Sequence, residues 1–109
     1  MKQYEIRWAS LPAPAGRRPV LLLSRTRAYA YLNKVIVAEI TSHVRSIPQE
    51  VPLGPREGLD RSSVASLDNV RMVDVDWLGE RIGILAASRH REVKRALGYA
   101  LDWSELKVL

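Results

Sequence analysis

The 109-residue sequence predicts an α+β fold that is mainly β: a small antiparallel barrel with one C-terminal helix. Three observations lead there. Short β-branched or aliphatic runs recur up to Leu85, separated by connectors rich in Pro, Gly and Ser. Neither a strand–helix alternation nor an internal repeat is present, so neither a parallel sheet nor a solenoid is expected. One long stripe of helical period lies near the C-terminus.

The elements follow in order. Gln3–Trp8 alternates, with Tyr4, Ile6 and Trp8 on one side and Glu5 and Arg7 on the other, as in a half-buried strand. Ala9–Arg18 contains Pro12, Pro14 and Gly16 and reads as a loop ending in a basic pair. Val20–Leu23 is a continuous aliphatic run, the pattern of a strand buried on both faces. Arg25–Leu32 is rich in Ala and Tyr, enough for one or two helical turns, and Val35–Thr41 is a third, β-branched strand. Ser46–Pro55 holds three prolines and admits only a short edge strand around Glu50–Val51. Gly58–Ser63 is a turn-rich connector. Val64–Val75 has apolar residues around the polar Asp68–Asn69, which predicts strand structure with a break or bulge near Leu67. Arg81–Leu85 is a further short strand. Ser88 is the expected N-cap of the last helix, whose stripe is Val93, Ala96, Leu97, Ala100 and Leu101. Arg89, Arg91, Lys94 and Arg95 form its expected solvated side, with His90 exposed at its start. The tail Asp102–Leu109 leaves Trp103, Leu106, Val108 and Leu109 to cover the barrel end or meet a second chain. No linker divides the chain, so residues 1–109 are expected to form one domain.

Composition excludes several function classes. There is no Cys, hence no disulfide framework, thiolate nucleophile or Cys-ligated zinc. Two histidines, His43 and His90, are too few for a His-rich metal site. No apolar run approaches the roughly 20 residues of a membrane span, and Glu5 and Arg7 interrupt the N-terminus where a signal peptide needs apolar residues. A soluble chain in the cytoplasm, away from membranes, is the expectation.

The 17 basic residues exceed the 12 acidic ones by five, for a pI near 10.0. Residues 1–34 hold seven cations against Glu5 alone, and the rest of the chain is close to neutral. Thirteen of the 17 are Arg, whose planar fork matches phosphate oxygens bidentately. One electropositive face for nucleic acid or an acidic segment accounts for this pattern; so does a merely solvated surface.

No P-loop, G-x-S-x-G, H-E-x-x-H or dinucleotide fingerprint occurs. What remains is Arg, Thr, Ser and Asp at strand ends. Such groups suit RNA cleavage, in which the substrate's own 2′-OH attacks the adjacent phosphodiester. The protein then only positions the reactants, moves protons and stabilises charge.

Four segments carry a resemblance: Gly16-Arg17-Arg18-Pro19-Val20-Leu21-Leu22-Leu23-Ser24, Val37-Ala38-Glu39-Ile40-Thr41-Ser42, Pro48-Gln49-Glu50-Val51-Pro52-Leu53 and Ala65-Ser66-Leu67-Asp68-Asn69-Val70-Arg71. In this order and approximate spacing the chain resembles the MazF/PemK family of endoribonuclease toxins from type II toxin–antitoxin systems. The resemblance implies an SH3-like barrel of the PemK/MazF/CcdB type. It implies metal-free, cofactor-free, sequence-selective cleavage of single-stranded RNA, leaving 2′,3′-cyclic phosphate and 5′-OH ends. Arg18 and Thr41 fall on the residues that act at the scissile phosphate. Asp68 falls on the Asp of a D-Q-x-R element and is the implied general base, with Asn69 in place of Gln and Arg71 as its partner or a phosphate contact. Arg17, Ser42 and His43 are the implied further RNA contacts, His43 being the other group suited to proton removal. The implied partners are RNA (mRNA, tRNA or rRNA), a second copy of the chain and an antitoxin with an acidic-hydrophobic C-terminal segment.

Two departures stand out. Gln3-Tyr4-Glu5 replaces the family's R-G-[DE], and the loop after the first strand is shorter, with Ala13-Pro14-Ala15 where members have G-[SH]-E-Q. The altered loop keeps an alternative open, a non-catalytic protein-binding toxin of the CcdB, gyrase-poison type. The tail, ending Lys107-Val108-Leu109, lacks that group's aromatic-led terminal tripeptide. Trp8 and Tyr29 are candidates for base stacking, with core packing as the commoner fate of such residues.

Overall fold

In the computed structural model, which describes residues 1–109, six strands build one sheet: β1 (Glu5–Ser10), β2 (Arg17–Leu22), β3 (Lys34–Thr41), β4 (Glu50–Leu53), β5 (Ser63–Asp74) and β6 (Leu78–Ile84). They hydrogen-bond in the order β4-β5-β3-β2-β1-β6, each pair antiparallel. Three helices join them: α1 (Ala28–Tyr31), α2 (His90–Leu101) and α3 (Ser104–Lys107). No helix is long and apolar enough to cross a membrane.

The aliphatic run in β2 explains why the sheet packs on both faces. Alternation sends Leu21 to one side, where Ile6, Ala38, Ile40 and Val51 meet Val93 and Ala96 of α2. Val20 and Leu22 go to the other, against Val35, Val37, Val73 and Ala28 of α1. All three β2 residues are fully buried. The sheet curls without closing its hydrogen-bond ladder, because its edges, β4 and β6, do not pair. A 3-10 turn after β4, Pro55–Glu57, rests against β6 instead. Gly58 turns left-handed there (φ 90°), and a Cβ on it would strike the Ile82 carbonyl oxygen; one on Gly83 would strike that of Glu57. Glycine is sterically required at both points of this seam.

Several local expectations are corrected. Ser88 does not cap the last helix: a 3-10 turn, Ala87–Arg89, precedes α2, and its start carries no side-chain cap. Arg89 is not solvated. It donates to both carboxylate oxygens of Glu92 (2.8 Å each), to Glu57 Oε2 (3.4 Å) and to the Pro52 carbonyl (2.6 Å). His90 is half-buried and stacks on Tyr4, ring centroids 3.6 Å apart. The tail folds back as α3 onto α2 rather than over the barrel mouth. Glu5, on the supposed polar side of β1, is buried and receives Arg7 Nε (3.1 Å) and the Lys2 backbone N–H (2.8 Å).

Strand β1 starts at Glu5 rather than Gln3 because Tyr4 is left-handed, at φ 71°. For a bulky residue this is a strained conformation, and glycine adopts it without penalty. Tyr4 stands where the R-G-[DE] pattern has its Gly. Its ring, buried in the larger core and stacked on His90, supplies packing to offset the strain.

Candidate functional site

The β2–β3 ladder pairs Val20 with Glu39 and Leu21 with Ala38. Continued two residues outward, that register sets Arg18 opposite Thr41, at the second residue of one strand and the last residue of the other. Both side chains line one open cleft of about 520 Å³ at this end of the sheet. Ser42 lines it too. The wall also holds Trp8 of β1, a stacking candidate from the sequence, and three charged residues the sequence did not suggest: Asp60 and Arg61 of the connector before β5 and Arg81 of β6.

Arg18 is held but not saturated. Its Nη1 donates to Glu39 Oε1 (3.0 Å), while its Nε is buried with no partner. Only one other buried side-chain polar atom, Gln49 Oε1, lacks a partner. About a third of the Arg18 side chain is exposed and only Nη1 is engaged, so donors at the tip of the guanidinium remain free for an external acceptor. Glu39, partly buried on β3, also accepts from Arg71 Nη1 (3.3 Å), giving a diagonal Arg18–Glu39–Arg71 chain across three strands. Glu39 was missed in the sequence because the chain forms only through strand register. The Thr41 hydroxyl oxygen accepts the His43 backbone N–H (3.1 Å), which fixes the oxygen and leaves its hydrogen free to donate.

The structure does not bring Asp68, His43 or Arg71 into the lining. Asp68 lies on the predicted irregularity in β5: Ala38 pairs with Val70 but Glu39 with Ser66, so Leu67–Asn69 form an extra bulged segment. Leu67 turns inward and is buried, while Asp68 and Asn69 project outward and are exposed. Arg71 pairs with Glu39 rather than Asp68. His43 is exposed beyond the end of β3. Arg17 is exposed and lies over the Trp8 ring, its Cζ 4.0 Å from the centroid. Tyr29 is not among the residues lining the cleft; it donates to the Ser24 carbonyl (3.0 Å), and burial pushes its hydroxyl well above the usual tyrosine range.

The cleft is cationic, but not as the charge count implied. Arg18 comes from the basic first third; Arg61 and Arg81 come from the nearly neutral remainder. Arg7, from the basic third, is used up on Glu5 and the Gly79 carbonyl (2.9 Å). Arg81 reaches Glu5 Oε2 at 3.6 Å and stays half-exposed beside the cleft. The arrangement offers guanidinium and hydroxyl donors around a wide, solvent-open space with a single carboxylate, Asp60, in its wall. Such a site grips an anionic chain.

Residues 2–101 match the family of PemK-like, MazF-like toxins of type II toxin–antitoxin systems. "Endoribonuclease MazF3" of Mycobacterium tuberculosis (strain CDC 1551 / Oshkosh) is 43% identical over 88 residues, covering 79% of this chain and 85% of its own. The solved "Mycobacterium tuberculosis toxin MazF-mt6" has TM-score 0.84 and 40% identity, covering 90% of this chain and 96% of its own. A structure of MazE–MazF from Deinococcus radiodurans has TM-score 0.75 and 25% identity, with 93% and 94% covered.

Proposed function

Because this chain belongs to the family of PemK-like, MazF-like toxins, we propose that it is a toxin endoribonuclease cutting single-stranded RNA through the RNA's own 2′-OH, without a metal. The observation that carries this reading is that Arg18, its guanidinium partly exposed and bonded only to Glu39, and Thr41 border one cleft. The two donors bracket the non-bridging oxygens of one phosphate, where negative charge builds as the O2′–P bond forms and the P–O5′ bond breaks. Arg18 also delivers a proton to the departing 5′ oxygen. Glu39 holds the guanidinium in place, as a positioning residue.

Removal of the 2′-OH proton falls to Asp60, the carboxylate in the cleft wall. The sequence had favoured Asp68, and one chain places that side chain on the β5 bulge, outside the wall. The products are a 2′,3′-cyclic phosphate and a 5′-OH. A second copy of the chain and an antitoxin complete the proposal. Arg18, Arg61 and Arg81 beside apolar Trp8, Leu59 and Ile82 suit an acidic-hydrophobic antitoxin segment that folds on binding. The gyrase-poison alternative has no support here: residues 2–101 match the PemK-like, MazF-like toxins, and the tail packs as α3 against α2.

The test is incubation of the purified chain with a long mixed-sequence RNA in excess EDTA, with both product ends mapped. Cyclic phosphate and 5′-OH ends at a recurring motif are expected. Intact RNA at high enzyme, or cleavage only on adding Mg²⁺, would overturn the proposal.

A further inference from the structure

Trp8 follows Ile6 by two residues and points to the same face of β1, yet the two have different surroundings. Ile6 is fully buried in the larger core, whereas Trp8 is half-buried and forms part of the cleft wall. A large aromatic ring left facing a cationic, solvent-open cleft is a poor use of apolar area for folding alone. Across the ladder, Trp8 pairs with Pro19 and Ser10 with Arg17, so Arg17 is the diagonal neighbour of Trp8 on that face. Its guanidinium covers the indole at 4.0 Å from the centroid. Arg17 covers one face of the ring, and Trp8 borders the cleft while Arg17 does not.

We propose that Trp8, braced by Arg17, is a shelf on which one unpaired base of the RNA stacks, next to the phosphate held by Arg18. The inference rests on the endoribonuclease reading and adds a base-binding subsite to it. Adjacent residues of β2 then divide the work from opposite faces of the sheet, at the strand end where Trp8 and Arg18 both border the cleft: Arg18 takes the phosphate, and Arg17 fixes the ring that takes the neighbouring base. The guanidinium restricts the indole to one orientation, so less freedom is lost when the base arrives. Because stacking uses the π-face that every base possesses, the shelf accepts any base and favours purines, which offer the larger face. It fixes where the strand lies rather than spelling out a sequence.

The test uses RNA made uncleavable by a 2′-deoxy substitution at the cut site, with 2-aminopurine on each side of the scissile phosphate in turn. One of the two positions should lose fluorescence on binding wild type. The quenching should vanish with Trp8→Ala and return in part with Trp8→Phe, which also controls for folding. Removing the base at that position should weaken wild-type binding about tenfold or more and leave Trp8→Ala binding unchanged. An equal loss in both proteins, or quenching that persists in Trp8→Ala, would overturn the shelf. If Trp8→Ala fails these tests while EDTA-resistant cleavage continues, the shelf alone is wrong. If wild type neither binds nor cuts RNA, the endoribonuclease reading falls and the shelf with it.

Discussion

Of the arginines that meet carboxylates, Arg89 and Arg18 are engaged to different degrees. Arg89 makes four hydrogen bonds, to Glu92, Glu57 and the Pro52 carbonyl, and thereby fastens the start of α2 to β4 and to the turn that seals the barrel. Glu57 in turn accepts the Gly54 backbone N–H (2.7 Å), so the node reaches into the seam itself. Arg18 makes one such bond, to Glu39, and keeps a buried N–H unused. A guanidinium with four of its five N–H donors engaged inside the protein acts as a structural tie. One that is positioned by a single bond and partly exposed keeps donors free for a phosphate.

The sharpest way to break the comparison is to remove each arginine. Arg18→Ala should lower the cleavage rate on the order of 10²–10³-fold by single-turnover assay, with little change in thermal midpoint. A large loss of stability with proportionate loss of activity would place Arg18 in the structural class. Within the cleft, Asp60→Asn should slow cleavage by about 10²-fold and Asp68→Asn hardly at all. The reverse order would return the general base to the β5 bulge and imply that a second chain brings Asp68 to the site.

Arg89→Ala should do the opposite. It leaves Glu57, which is buried, without its cation and frees the end of α2, at a cost of about 2 kcal/mol in unfolding free energy. Chemical denaturation measures that cost, and the folded fraction should cleave RNA at the wild-type rate. A variant as stable as wild type would show that the node is ornamental.

How much of this was legible in the sequence depends on how far each feature reaches. The β2 run, the edge strand held short by Pro48, Pro52 and Pro55, the break near Leu67 and the stripe of α2 are local patterns, and the structure has each of them. Arg18 and Thr41 were legible through motif resemblance, and strand register explains why two residues 23 apart share a cleft. Glu39, Asp60, Arg61 and Arg81 were not legible as site residues, because only tertiary pairing places them. Window-by-window charge misjudged Arg7 and Arg89 for the same reason: each spends its charge on a partner distant in sequence or across an element boundary. Tyr4 was misread as ordinary strand because its left-handed backbone has no signature in a non-glycine residue.

The smallest effect is a pH dependence that belongs to the tie. The Arg89 hydrogen bond holds the Glu92 carboxyl below its ordinary value of 4.5, against the opposing pull of burial. Burial would likewise raise Glu5, but the Lys2 N–H and Arg7 outweigh it and the net shift is downward. A carboxylate depressed in the folded state binds its proton more readily once unfolded, so its contribution is complete above the unfolded value and is lost as pH falls through the folded one. Stability should therefore be flat from neutrality to about pH 5 and decline below the ordinary glutamate range. Since Glu92 is about one-third exposed, solvent screening keeps its share to about 1 kcal/mol or less. Urea unfolding at pH 7, 5, 4 and 3 measures the decline. Glu92→Gln and Arg89→Ala should each make it shallower than in wild type, because either change removes the depressed carboxylate. Identical acid limbs in all three proteins would mean that the Arg89–Glu92 pair, for all its geometry, is as weakly coupled to folding as an ordinary surface ion pair.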